Sequence, residues 1–167
     1  MQGYVEAIHH CGAINFWTMA HQIAMTPIPP QDTPLHVQLG EWGYYSEQIE
    51  IYASLYGKIN DAFDRICRLG LGQAYLYLAQ YEAATAQFTA LQTLADETGD
   101  VHLATLAWGG LANIAREQLL NQQAIALAQQ WLRCARQSAD LGQQAQALRR
   151  LGGAYVSLGH YQRGITY

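Results

Sequence analysis

Stretches of this chain repeat one another at a fixed interval. Leu71, Leu111 and Leu151 align, and Gly72, Ala112 and Gly152 follow them. Tyr75 answers to Ala115 and Tyr155, Tyr81 to Asn121 and Tyr161, and Ala84 to Ala124 and Gly164. A constant period of this size marks an array in which each unit buries its apolar side against its neighbours. Inside one unit, Leu71, Tyr75, Leu78 and Ala79 and then Ala84, Phe88, Leu91 and Leu94 recur at helical steps. Each set therefore lines one face of a helix. The unit reads as a helix, a tight turn near Gln80 and Tyr81, and a second antiparallel helix. Gly or Ala at 72, 112 and 152 is expected to let a neighbouring helix approach closely, because glycine inside a helix costs about 1 kcal/mol against alanine and needs a reason.

The spacing Leu71-Gly72-x-x-Tyr75…Ala84-x-x-x-Phe88 resembles the tetratricopeptide repeat. The resemblance covers roughly residues 62 to 167, and Leu151-Gly152-Gly153-Ala154-Tyr155…Tyr161…Gly164 carries it again. The middle unit is degenerate, with Ala112, Ala115, Ala124, Ala128 and Trp131 in the marked places. The family's usual period, about 34 residues, is shorter than the one here. Its closing proline is replaced by Asp96. An added turn and a half of helix per unit accounts for both departures and is similar to the extended repeats of bacterial members. HEAT-like repeats have a period of about 40 residues, as here, but lack the Leu-Gly-Tyr/Ala-Phe signature. The resemblance implies an all-α fold, a right-handed superhelix of antiparallel helix pairs.

The remaining chain is taken from its own signals. Residues 1–25 read as one N-terminal helix with Tyr4, Ile8, Cys11 and Ile14 on a face, ended by Met25-Thr26-Pro27. Residues 26–40 hold all four prolines and read as a connector, with Thr33-Pro34 as a helix start. Residues 41–167 form the repeat domain, whose last repeat is incomplete. Its first helix, 41–57, is expected to bury Trp42, Tyr45, Ile49, Tyr52 and Tyr56, with Gly57 as its stop. Asn60 or Asp61 caps the next helix, Gly99 and then Leu141-Gly142 close later ones, and no strand is expected. Phe88, Leu91, Leu111, Trp131 and Leu151 are the expected core, with Tyr75 and Tyr155 buried up to their hydroxyls.

Charged residues make up 13% of the chain and its net charge is −4, with Lys58 the one lysine, so no basic stripe offers itself to nucleic acid. Cys11, Cys67 and Cys134 lie far apart in apolar helical patterns and read as reduced thiols in a cytoplasmic setting. The N-terminus lacks the positive region of a signal peptide, and no apolar run is long enough to span a membrane. His9, His10, Cys11 and His21 do not converge as metal ligands on a continuous helix, since His10 and His21 lie about 16 Å apart along it. Asp61, Asp64, Asp96, Glu97 and Asp100 sit at helix ends, where the dipole and capping explain acids at an N-terminus and plain solvation those near a C-terminus. Neither a phosphate loop nor a nucleophile elbow occurs, so no catalytic residue, metal or cofactor is expected and the chain is read as a non-enzyme.

What remains is a surface. The resemblance implies that the first helix of each pair lines a groove. Carried over, this gives Ile66, Leu69, Gln73, Leu76 and Tyr77, then Leu106, Gly109, Asn113, Arg116 and Glu117. The third unit contributes Gln146, Arg149, Gly153, Val156 and Ser157. The partner-binding set is Gln73, Leu76, Tyr77, Asn113, Arg116, Glu117, Gln146 and Arg149, chemistry suited to a protein or an extended peptide. The expected function is a scaffold or adaptor. The alternatives are a structural subunit or assembly factor of a larger, membrane-bound or photosynthetic complex, and a peptide-sensing regulator. Because the third unit stops after its first helix, either the array continues beyond the chain or a homodimer or larger assembly covers the open C-terminal edge.

Overall fold

In a computed structural model, residues 2–30 and 32–166 are described. Met1, Gln31 and Tyr167, assigned from sequence to the first helix, the connector and the last helix, lie outside the described residues. The described residues form ten α-helices and one two-stranded ladder. The helices are α1 Gln2–Ala13, α2 Trp17–Ala24, α3 Leu35–Glu41, α4 Tyr45–Leu55 and α5 Asp61–Tyr77, then α6 Tyr81–Thr98, α7 Val101–Glu117, α8 Asn121–Gln137, α9 Leu141–Ser157 and α10 Tyr161–Ile165. Strands β1 Pro27–Ile28 and β2 Thr33–Pro34 pair antiparallel. The chain gathers into two compact units, Met1–Gln80 and Tyr81–Tyr167.

The second unit is regular. Its helices begin at Tyr81, Val101, Asn121, Leu141 and Tyr161, a constant interval. One turn geometry explains the interval. Gly99, Leu119, Ala139 and Gly159 adopt left-handed φ values of 69°, 59°, 54° and 78°. The next amide then reaches back over the helix end: Asp100 N–H to the Ala95 carbonyl at 3.1 Å, Leu120 to Ala115 at 2.9 Å, Asp140 to Ala135 at 3.0 Å and His160 to Tyr155 at 2.9 Å. That residue closes one helix and starts the next, so the turn cannot lengthen without losing a bond. Asp100 and Asp140 also cap, their carboxylates accepting the Leu103 and Gln143 amides at 2.9 Å. Leu141 and Gly142, expected as a stop, instead open α9, because the stop falls at Ala139.

Each helix of this unit packs on the next, and α7 also touches α9. The core is built from Ala112, Ala128, Trp131, Leu132, Ala147 and Leu151, with Phe88 and Leu91 buried among α6 and α7 residues. Leu111 is only half-buried, unlike the other four expected core positions. Tyr75 and Tyr155 are half-buried too. Close approach occurs beside the expected positions as well as at them. A methyl on Gly110 would lie 2.3 Å from the Phe88 ring, and one on Gly109 2.9 Å from the Trp131 indole. At α10, a methyl on Gly164 would meet the Gly152 carbonyl at 3.1 Å, a contact made at one of the three aligned small positions.

The first unit departs from its sequence reading in three places. The single helix expected over 1–25 is broken. Asn15 takes a left-handed φ of 57°, and the Phe16 amide reaches back to the Cys11 carbonyl at 2.8 Å. Asparagine tolerates that conformation, so it stops the helix as glycine would. The buried face is then Val5, Ile8 and Cys11, while Tyr4 and Ile14 are exposed. Within 26–40, Thr33-Pro34 forms β2 rather than a cap, and α3 follows with Leu35, His36, Gln38 and Leu39 buried. On α4 the buried residues are Gln48, Ile51, Tyr52 and Leu55, whereas Trp42 and Tyr56 are exposed. The face is rotated from the expected one: Gln48, Ile51 and Leu55 join Tyr52 inside, and Tyr45 and Ile49 are only half-buried. Two expectations hold: Gly57 ends α4 at φ 71°, and Asn60 caps α5 by accepting the Phe63 amide at 2.9 Å.

Candidate binding surface

The deepest polar feature of the first unit starts at His36. α3 buries its imidazole, 4% exposed, between α4 and the Phe63 ring. Its Nδ1 lies 2.8 Å from the Tyr52 hydroxyl, and its carbonyl accepts the Gln48 amide at 2.7 Å. Burial, reinforced by nearby His21, lowers the His36 pKa to about 4, so the ring is neutral at pH 7. Burial likewise raises the Tyr52 phenol and pushes the Cys67 thiol up to about 12. These groups are held in their uncharged forms, and a neutral thiol is a poor nucleophile. The cluster is a packing device that ties α3 to α4 through the ring and the carbonyl of His36.

Above it lies a cleft of 210 Å³. α3 supplies Val37, Gly40 and Glu41, α4 supplies Tyr45, Gln48 and Tyr52, and α5 supplies Gln73 and Tyr77. Gln48 and Tyr52 are buried at its floor, while Glu41, Gln73 and Tyr77 are exposed at its mouth. Tyr45 and Tyr77 stack with centroids 4.7 Å apart and planes 10° apart. Gly40 makes the wall thin, since a methyl there would come 2.8 Å from the Gln48 amide. Gln73 and Tyr77 thus fall together in a concave site, and Leu76 does not line it. The contributions of α3 and α4 escaped the sequence reading. The usable signal was Pro34 followed by Leu35 and Leu39, a helix start with an i, i+4 apolar pair.

On the second unit, Asn113, Arg116 and Glu117 stand on α7 and Gln146 and Arg149 on α9, two helices in contact. Arg116 and Glu117 pair with each other on the surface. Asn113 is half-buried, and its Oδ1 has no hydrogen-bond partner among the described residues. Gln146, Arg149, Gly153 and Ser157 are exposed, as is Val156. Gly109 is not on a groove surface; it is buried beneath Trp131. Two larger concavities hold none of the expected residues. One of 810 Å³ between α1 and α4 is lined by Glu6, His9, Glu47 and Glu50 among others. The other, of 430 Å³, lies at the turns, with Leu119, Leu120 and Leu158.

Several of the remaining polar candidates have structural partners. Asp64 accepts the Gly57 amide at 2.7 Å, and Asp100 and Asp140 cap. His9 meets Glu50 at 3.2 Å, while His21 sits edge-on to Phe63. The helix break at Asn15 removes the continuous-helix spacing assumed for His10 and His21. Among the described residues, no group of three or more His, Cys, Asp or Glu side chains is placed to hold a metal, and no helix is long and apolar enough to cross a membrane. Comparison with protein-family models finds no match, and comparison with curated proteins finds no significant similarity.

Proposed function

We propose that this chain is a tetratricopeptide-like, right-handed superhelical scaffold that binds a protein or an extended peptide on α5, α7 and α9 and carries out no catalysis itself. One observation carries the reading. The same supersecondary unit recurs at a constant interval, and its odd helices leave chemically mixed side chains accessible at matching positions: Gln73 and Asn113, Tyr77 and Glu117, Arg116 and Val156. Reiterated helix pairs make extended binding surfaces because every unit presents its equivalent positions in the same sense. The free thiols of Cys11, Cys67 and Cys134 fit a reducing, cytoplasmic setting.

The test is quantitative co-purification with mass spectrometry, comparing the parent with a variant carrying Tyr77→Ala, Asn113→Ala and Arg149→Ala. The parent should recover a defined partner that the variant loses, with the melting temperature little changed. Equal recovery by both proteins places binding elsewhere.

A second reading, a structural subunit or assembly factor, is favoured by the apolar exposure of the second unit. Leu119, Leu141 and Ile165 are each more than three-quarters exposed, and Tyr161 is 63% exposed. Under that reading the co-purified complex is stoichiometric, survives the triple substitution and is split by Leu158→Glu.

A further inference from the structure

The cleft over Tyr52 has a one-sided chemistry. Among the described residues Glu41 is its only charged lining residue, and neither lysine nor arginine lines it. Glu41 takes one hydrogen bond on Oε2, from the Gln38 amide at 2.8 Å. The Gln48 amide nitrogen is committed to the His36 carbonyl, and no hydrogen bond among the described residues uses its Oε1. Gln73 is exposed at the mouth and makes no hydrogen bond among the described residues. The cleft therefore offers the Glu41 carboxylate, the Gln48 amide oxygen and the Gln73 amide, which can accept or donate, and carries a formal charge of one sign only. Its side wall is the Tyr45–Tyr77 stack, in which Tyr77 as a residue is 68% exposed. A flat aromatic wall beside a carboxylate favours an alkyl stem ending in a cation, which covers the rings with its methylenes and meets the acid with its head. An anion would meet Glu41 as a like charge, and a wholly apolar group would make no use of the carboxylate.

We infer that this cleft is a cation-accepting pocket that takes the side chain of a lysine or arginine from a bound peptide. Its place in a peptide groove rests on the scaffold reading above; its preference for an ammonium or guanidinium head rests on the cleft alone. Tyr77 and Glu41 are the residues that set specificity, one through its ring and the other through its charge.

The experiment titrates the full chain calorimetrically with blocked pentapeptides Ala-Ala-X-Ala-Ala, where X is lysine, arginine, citrulline, leucine or glutamate, and separately with butylammonium and spermidine. Lysine and arginine peptides should bind about tenfold tighter than the citrulline peptide, which keeps the arginine shape and loses its charge. Binding should weaken as salt is raised from low to physiological strength. Glu41→Gln should remove most of the preference. Glu6→Gln, the same change of charge in the separate cavity between α1 and α4, should not. Tyr77→Leu, made at an exposed position, should weaken all cationic probes while the helical circular dichroism stays unchanged. Should butylammonium bind as well as the lysine peptide, the pocket is real but serves a free amine, and only the peptide reading fails. Citrulline binding equal to arginine, equal losses from Glu41→Gln and Glu6→Gln, or no binding by any cationic probe overturns the pocket itself.

Discussion

The two units solve the same packing problem by different means. In the second, α6 has 18 residues, and α7, α8 and α9 have 17 each. They alternate with one repeated turn, and the core is alanine and leucine around Phe88 and Trp131. Its single fully buried polar side chain among the described residues, Thr105, bonds to its own helix at the Val101 carbonyl. In the first, helices ranging from the short α3 to the long α5 are joined by dissimilar links; His36 and Gln48 are buried with Tyr52 in a hydrogen-bonded cluster, and buried Gln38 bridges Thr33 and Glu41. Reiteration lets every contact be small and generic. Irregular geometry has to be held by named partners, because each short helix leaves backbone groups that only a specific side chain satisfies.

Glycine substitutions test this contrast most strongly. In Gly70→Ala the new methyl would fall 2.0 Å from the Tyr52 ring. That ring cannot swing away, since Tyr52 is 2% exposed and its hydroxyl is engaged by His36. Overpacking should cost about 3 kcal/mol, the upper end of the usual range. Gly110→Ala, against Phe88 in the second unit, should cost somewhat less, because no hydrogen bond holds that ring in place as His36 holds Tyr52. Urea unfolding of both variants decides the order, and a larger loss at Gly110 would break the comparison.

Acid should act on the first unit through His36. Its folded pKa of about 4 lies below the ordinary 6.5, so the unfolded chain binds a proton that the folded one refuses. The contribution of neutral His36 is complete above pH 6.5 and is lost as pH falls toward 4, by up to about 3 kcal/mol. Stability measured across that window should slope, and His36→Gln should flatten it. An unchanged slope in the variant would assign the effect to other groups.

Smaller effects belong to the turns and exposed helix faces of the second unit. Leu119 is 79% exposed and left-handed, a conformation that costs a branched residue about 1 kcal/mol. Leu119→Gly should therefore stabilise by somewhat under about 1 kcal/mol, after allowing for the greater freedom of glycine in the unfolded chain. The smallest change is expected for Gly153→Ala, where nothing lies within 4 Å of the added methyl. Helix propensity alone predicts a gain of about 0.5 to 1 kcal/mol. Opposite signs at Gly110 and Gly153, read by thermal melting, would show that glycine serves packing at one and nothing local at the other.

The second unit was largely legible because its information is periodic. Helical spacing, the cap at Asp100 and the stop at Gly99 are local signals, whereas the cap at Asp140 was hidden behind the stop expected at Leu141 and Gly142. Ala79, Leu119 and Ala139 were harder. They occupy left-handed turns that glycine usually marks, and only the return bonds of Gln80, Leu120 and Asp140 reveal them. The candidate surface divides the same way. Exposure of Gln73, Tyr77 and Arg149 followed from repeat position. The wall opposite Gln73 and Tyr77 did not, since Val37 and Gly40 come from the segment read as connector and Tyr45 from a face read as packing.

From sequence alone came the all-α class, the repeating unit, its caps and most of its core, because these depend on interactions within a helical turn or on a repeated pattern. Tertiary structure decided the break at Asn15, the rotation of α4, the rings over Gly70 and Gly110, and the cleft. Each depends on which side chain meets which across residues distant in the chain: His36 with Tyr52, Phe88 with Gly110, Tyr45 with Tyr77. Such meetings leave no periodic trace, and their free energy exists only once both partners are in place.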